Sequence, residues 1–507
     1  MSERVQGGRR HLEIGERELR AGEVQWAIAA FEAALFSFRG FDARLGEAHA
    51  LRGLAQAHLQ AGNTEEGVRW ARQAQAAYRA LSSELVRLGD VEADAAYSSS
   101  AREGLAHALV IGSDGLVRLG SVSQAETLLH EAADLFDSMG KLPSSAGVRA
   151  AVGRLAMREG RYDDARRVLT SALDLHDRVD NAEGAIEVLL TLAEIDRLAG
   201  EAVAGEGRLN CALVMAQTKG ERRLEARVQR ALGALMVQMG HLDEARHSYE
   251  DALLAVRQVA DLELEGFTLI GLGETLSRQG DGAALDCLVD GARMLARLQH
   301  QHGVAAALFQ IAEHGVRIGE PTVALIAAEG ARRLWQSIDP VRGVGQALRM
   351  EVKALAGVRR FREALLVAHA RAALVGADQP NAIAVRDYYR ARAPHHWVDK
   401  VDALLPHELH HAVAEAVHGV VLPVFREVEL PLTALDSVSG VVQVIEVLTA
   451  RLPRPTDAAE EPVEPDASLS GVWDMFVAVD EEKHLFEAAD ALDRVPVTAP
   501  TSEEEGA

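Results

Sequence analysis

The stretch Ala226–Val256, ARVQRALGALMVQMGHLDEARHSYEDALLAV, decides the fold. Small residues at Gly233, Gly240, Ala245 and Ala252, with Leu232 and Tyr249 as larger members, fall at helical spacing on either side of a turn at Met239-Gly240-His241. The segment reads as two amphipathic helices joined into a hairpin.

The hairpin recurs. Steps of forty residues connect Gly120, Gly160, Gly200, Gly240 and Gly280, and a step of thirty-nine reaches Gly319. Five residues after these glycines stand Ala125, Ala165, Gly205, Ala245, Leu285 and Ala324, and seven further on Ala132, Ala172, Ala212, Ala252, Ala292 and Ala331. Near the N-terminus Gly22, Ala27, Phe31 and Ala34, then Gly62, Gly67, Ala71 and Ala74, keep the same spacing. A ninth unit has Ala364 and Ala368, with Arg359 in the place of the glycine. A fixed period of this length marks an array of stacked units. The pattern resembles the tetratricopeptide repeat (TPR) family in a forty-residue form, over roughly residues 8 to 375. The resemblance implies an all-α, right-handed superhelical solenoid of about nine helix hairpins. It also implies that Phe31, Leu129, Leu169, Leu209 and Tyr249 plug neighbouring units, and that the first helix of each hairpin lines a concave, ligand-binding side.

The chain has 507 residues, more than one compact core ordinarily holds, and aromatic residues make up only 4% of it. No run approaches twenty apolar residues, and the charged start MSERVQGGRRHLEIGERELR lacks the apolar core of a secretory signal, so a cytoplasmic protein without membrane insertion is expected. Cys211 and Cys287, both in second-helix patterns, are expected to be small buried residues in a reducing compartment. Of the net charge of −23, the segment from Pro455 to Ala507 supplies −13, fifteen acids against Lys483 and Arg494. A chain so charged lacks the clustered positive surface that nucleic acid requires.

In chain order, residues 1–80 read as repeats 1 and 2, and 81–102 as an inter-repeat insertion, because Gly62 to Gly120 spans fifty-eight residues. A lengthened helix pair with a loop, or a binding loop, accounts for it. Residues 103–376 are repeats 3 to 9, and 377–452 a histidine-rich helical cap over the open end of the solenoid. Residues 453–507 form an acidic, partly disordered tail. Within it Trp473, Phe476, Val477, Leu485, Phe486 and Leu492 have helical spacing and suggest a segment that docks on a groove of the same chain or on a partner.

No phosphate-binding loop or nucleophile elbow occurs, and the glycine pairs Gly271/Gly273 and Gly343/Gly345 lack the third glycine of a dinucleotide fingerprint, so no cofactor is expected. In the cap, His407-Glu408-Leu409-His410-His411 matches His-Glu-x-x-His, which on a helix sets His407 and His411 one turn apart for zinc, with Glu408 to activate water. This supports an alternative, a zinc-dependent hydrolase with the repeats as substrate arm, although Pro406 places the motif at a helix start. Leu435-Asp436-Ser437-Val438 resembles the serine-bearing helix of acyl carrier proteins, and Ser437 is more simply an N-cap.

Projecting the family's inward positions onto this chain gives Arg20, Arg118, Arg154, Arg158, Arg197, Arg227, Arg230, Arg278 and Arg317, with Arg349 and Lys353 on the same face. Guanidinium groups so placed suit the carboxylates of an acidic peptide. Glu16, Glu187, Glu194, Glu274 and Glu313 share the surface and are able to neutralise the ladder locally. The expected function is a non-enzymatic scaffold or adaptor that binds a partner peptide or helix in this groove, with its acidic tail as a regulator.

Overall fold

The computed structural model describes residues 3–39, 43–88, 93–376, 380–393 and 395–450. Helices follow one another as hairpins, and among the described residues there is no strand. The chain divides into two compact units, Met1–Leu235 and Met236–Ala507.

Unit 1 contains α1 (Glu3–Arg20) and α2 (Val24–Arg39), α3 (Arg44–Gln60) and α4 (Thr64–Leu88), α5 (Ala93–Arg118) and α6 (Val122–Ser138), α7 (Leu142–Arg158) and α8 (Tyr162–Arg178), α9 (Ala182–Leu198) and α10 (Ala202–Lys219). It ends within α11 (Arg222–Met239). Unit 2 continues with α12 (Leu242–Val259), α13 (Leu262–Gln279), α14 (Ala284–Arg297), α15 (Gln301–Arg317), α16 (Pro321–Trp335), α17 (Arg342–Gly357) and α18 (Phe361–Val375). Four further helices close it: α19 (Pro380–Arg392), α20 (His395–Asp402), α21 (Pro406–Glu427) and α22 (Val438–Thr449), with a 3-10 turn at Leu432–Asp436.

The periodic glycines are turn residues. Gly22, Gly62, Gly120, Gly160, Gly200, Gly240, Gly280 and Gly319 all have positive φ, between 73° and 81°, and Arg359 holds the same conformation at 60°. At Gly240 the N–H donates to Val237 O at 3.2 Å and the next N–H, of His241, to Met236 O at 2.9 Å, which satisfies the last carbonyls of α11. The turns between hairpins need the same conformation but meet it with Gly140, Asp180, Gly220, Ala260 and Gln299, so only one of the two turn sets shows as a glycine period.

Between the turns, small residues admit large ones. A Cβ on Gly53 would lie 2.5 Å from the Phe31 ring, and Gly153 and Gly271 accept Leu169 and Tyr249 in the same way. Leu129 and Leu209 are likewise buried. The register slips once: Ala284, not Leu285, takes the fully buried small position of its hairpin, because Asp281 caps Ala283 and α14 starts late. The cysteines are not buried as expected. Cys211 is exposed on α10 and Cys287 is half-buried on α14, because both fall one position before the buried stripe that Ala212 and Leu288 occupy. The insertion lengthens α4 and α5 to 25 and 26 residues.

Within unit 2 the terminal helices do more than close an end. The helices α19 and α20 pack on α18, α21 reaches α16 and α18, and α22 lies on α14 and α16, so the chain folds back over the second helices of three hairpins. The reason is legible in α16, PTVALIAAEGARRLW, which is buried from Val323 to Arg332 on every side and needs cover on a third face. Val438, Val441, Val442, Val444, Ile445 and Leu448 supply it.

Candidate interaction surface

In each unit the first helices approach one another across hairpins: α1 and α3, α3 and α5, α7 and α9 in unit 1, and α13, α15 and α17 in unit 2. Their close spacing makes this row the inner one. Its solvent-facing stripe follows helical spacing, Gly147, Ala151, Arg154 and Arg158 on α7 and Glu187, Thr191, Glu194 and Leu198 on α9.

Most of the arginines projected onto this row are neutralised in place. In unit 1 Arg227 forms an ion pair with Glu187, forty residues upstream, and Arg197 donates twice to Glu194 at 2.7 Å. Arg118 meets Asp114 at 2.8 Å and Leu59 O at 2.9 Å, while Arg20 donates to the Glu16 carbonyl at 3.1 Å. Arg230 is half-buried on α11. In unit 2 Arg278 pairs with Glu274 at 2.7 Å, and Arg317 bonds Ser277 and lies 3.7 Å from Glu313. Arg349 sits 5.8 Å from the centroid of the Phe309 ring.

Arg154 and Arg158 are different. Neither makes a hydrogen bond or ion pair with another described residue, and both are exposed. Protein surrounds the shaft of Arg154, so burial lowers its pKa, and Glu187 opposes that shift. The floor beside it is small, Gly147 and Ala151 on its own helix and Thr191 on the next.

The histidine-rich helix α21 carries the His-Glu-x-x-His stretch in its first turns. Glu408, the residue assigned to water activation, instead accepts the Leu405 N–H at 2.9 Å and completes the cap of its own helix. His407 and His411 are exposed, with His411 3.6 Å from Glu415, and among the described residues no three histidine, cysteine or acidic side chains converge as a metal site. Ser437 is the N-cap of α22 and accepts the Gly440 N–H at 3.1 Å. Trp473, Phe476, Val477, Leu485, Phe486 and Leu492 lie outside the described residues.

Two groupings escape the sequence. One is a buried charge network under the fold-back. Arg332 is shared by Glu329 and, at 2.7 Å, by Glu351, while Arg333 joins Glu329 at 2.6 Å to Asp436 at 2.5 Å and to His418 at 2.9 Å. Burial opposes ionisation of Glu329, yet His418, Arg332 and Arg333 overcome it and hold the carboxyl well below the usual range. Burial pushes Glu351 up to about 7 against the attraction of Arg332, and its second oxygen has no partner. The other joins His49 and Tyr78 in unit 1, where Tyr78 Oη lies 2.7 Å from His49 Nδ1.

Over the described residues the chain is an all-helical array of repeated hairpins. No protein-family model matches it, and no curated protein sequence does. Among solved structures it is similar to a Rap protein complexed with Competence and Sporulation Factor, at 10% identity over 80% of this chain and 99% of that one, with a TM-score of 0.46. It is also similar to BtubC (BKLC) from P. vanneervenii, at 23% identity over 45% and 92% of the two chains, TM-score 0.38. Yeast Tom70 matches at 12% identity over 79% and 99%, TM-score 0.38. These likenesses extend no further than helical-repeat architecture.

Proposed function

We propose that the protein is a non-enzymatic scaffold whose inner face in unit 1 binds an acidic segment of a partner protein. The observation that supports this reading most directly is the pair Arg154 and Arg158, which lack an ion-pair partner among the described residues on a surface where the neighbouring arginines have one. An unpaired guanidinium over a small-residue floor leaves room for a backbone and offers parallel donors to one carboxylate. The chain as a whole is acidic, so this positive spot selects among ligands by contrast with its surroundings.

A labelled hexaglutamate peptide tests the reading by fluorescence anisotropy at low and moderate salt. Binding to the full chain, weakened at least tenfold in Arg154→Glu/Arg158→Glu, is the expected result, while a neutral hexaglutamine peptide does not bind. Equal affinity of the wild type and the double variant for hexaglutamate removes the proposal. The chain's own acidic segment, supplied as a separate peptide 455–507, is a second ligand for the same assay. Competition by it supports regulation by the tail.

A further inference from the structure

The second helix of the first hairpin, α2, carries an apolar row that stays in solvent. Its buried side, Ala27, Ala30, Phe31, Ala34, Leu35 and Phe38, packs on α1 and α3. On the opposite side Trp26 is 70% exposed and Phe36 84%, with Ala29 exposed and Ala33 half-buried between them. Spacings of three, four and three residues set these four on one face of the helix. The repeat itself does not ask for them. At the same distances from the turn glycine α6 has Gln124, Thr127, Glu131 and Asp134, and α8 has Asp164 and Asp174 at the two ends. Two large aromatic rings left in water on one helix face are the mark of an interaction surface.

The order of the row names its partner, because it reads alike in both directions. Trp26 and Phe36 stand five residues to either side of Phe31, and Ala29 and Ala33 two residues to either side. Glu23, just before the helix, and Arg39, its last residue, stand eight to either side. A second α2 laid antiparallel about a twofold axis at the level of Phe31 sets Trp26 level with the partner's Phe36. It also sets Ala29 level with the partner's Ala33, and Glu23 with the partner's Arg39. The small pair lets the two helices approach, and the aromatic rings close the contact at both ends. Charges at the helix ends, and the helix dipoles, then run opposite to one another. A parallel pairing would set Glu23 against Glu23 and Arg39 against Arg39.

We propose that the exposed face of α2 is a self-association surface, through which the protein pairs with a second copy of itself by an antiparallel α2–α2 contact. Four rings at about 150 Å² each supply about 600 Å², whereas small specific interfaces begin near about 1,200 Å², so the pairing is weak and reversible. Gln25 and Glu32, both exposed beside the row, complete the contact. Glu32 lies next to the axis in both copies, and the two carboxylates repel across it. The surface is independent of Arg154 and Arg158 on α7, so it stands whether or not an acidic segment binds there.

Sedimentation velocity of the full chain under reducing conditions, from about 2 to about 200 µM, is expected to show a reversible monomer–dimer equilibrium with a midpoint of about 10–100 µM. Trp26→Glu/Phe36→Glu raises the midpoint at least tenfold and leaves the far-ultraviolet spectrum unchanged, since both rings lie outside the core. Glu32→Gln lowers it about twofold by removing the repulsion. Val203→Glu/Val214→Glu, at the ends of the exposed row on α10, changes nothing. The register is read by cross-linking in a Cys211→Ser/Cys287→Ser background: when Ala29→Cys and Ala33→Cys chains are mixed, a short bismaleimide joins 29 to 33 faster than 29 to 29. Removal of residues 455–507 leaves the equilibrium unchanged. A dimer gained or lost on that removal assigns the row to the chain's own tail and overturns the proposal. So do a monomer throughout the range, assemblies that grow beyond the dimer, or wild-type pairing by Trp26→Glu/Phe36→Glu.

Discussion

Glu351 offers a sharp test of the buried network. It is fully buried on α17, bonded through one oxygen to Arg332, and burial raises its pKa from 4.5 to about 7. An acid held above its unfolded value stabilises the fold fully below about pH 4.5 and loses that stabilisation as pH rises through about 7. The loss by pH 8.5 is on the order of 3 kcal/mol. Glu329 has the opposite sign: held below its unfolded value, it contributes above about pH 4.5 and loses that contribution only in acid. Glu351→Gln removes the titration while keeping the shape. Hydrogen exchange of peptides covering 321–335 and 342–357, corrected for intrinsic rates, is expected to show protection in the variant about two orders of magnitude above wild type at pH 8.5, and nearly equal protection at pH 5. Exchange reads this region alone, which suits a two-unit chain that need not unfold in one step. If Glu351→Gln lowers protection equally at both pH values, Glu351 is an ordinary partner of Arg332 and the account of the network is wrong.

Other substitutions probe the repeat frame. Gly53→Ala places a Cβ 2.5 Å from the Phe31 ring and is expected to destabilise by about 1–3 kcal/mol, measured by urea unfolding with Gly7→Ala, which meets nothing, as control. Arg359→Gly relieves a non-glycine residue at φ 60° and is expected to raise protection across α17 and α18 by about 1 kcal/mol, read by exchange.

The frame was legible because one turn in every forty residues needs a left-handed residue and is met by glycine, while the helices on either side need small residues where they cross. The alternate turns were hidden, since Asp180, Ala260 and Gln299 adopt the same conformation without a glycine to announce it. The neutralisation of the arginine ladder was partly readable: Glu187 precedes Arg227 by forty residues, one repeat, and therefore faces it across adjacent helices. The fold-back was not readable from α22, whose valine-rich face suits an end cap equally well. Its sign lay in α16, buried all round and carrying Glu329 and Arg332 inside. In the His-Glu-x-x-His stretch Glu408 serves in capping the helix that Pro406 begins.

The most direct measurement of the central claim uses a photo-crosslinking amino acid at Ala151, on the inner stripe of unit 1, and at Val203, exposed on the outer helix α10, in the cell that makes the protein. Sequencing the captured peptides is expected to give an acidic segment at position 151 that is absent from 203 and is lost when Arg154 and Arg158 are reversed in charge. Capture of the same peptides at both positions, or of neutral or basic segments at 151, would contradict the assignment of the inner face as the binding surface.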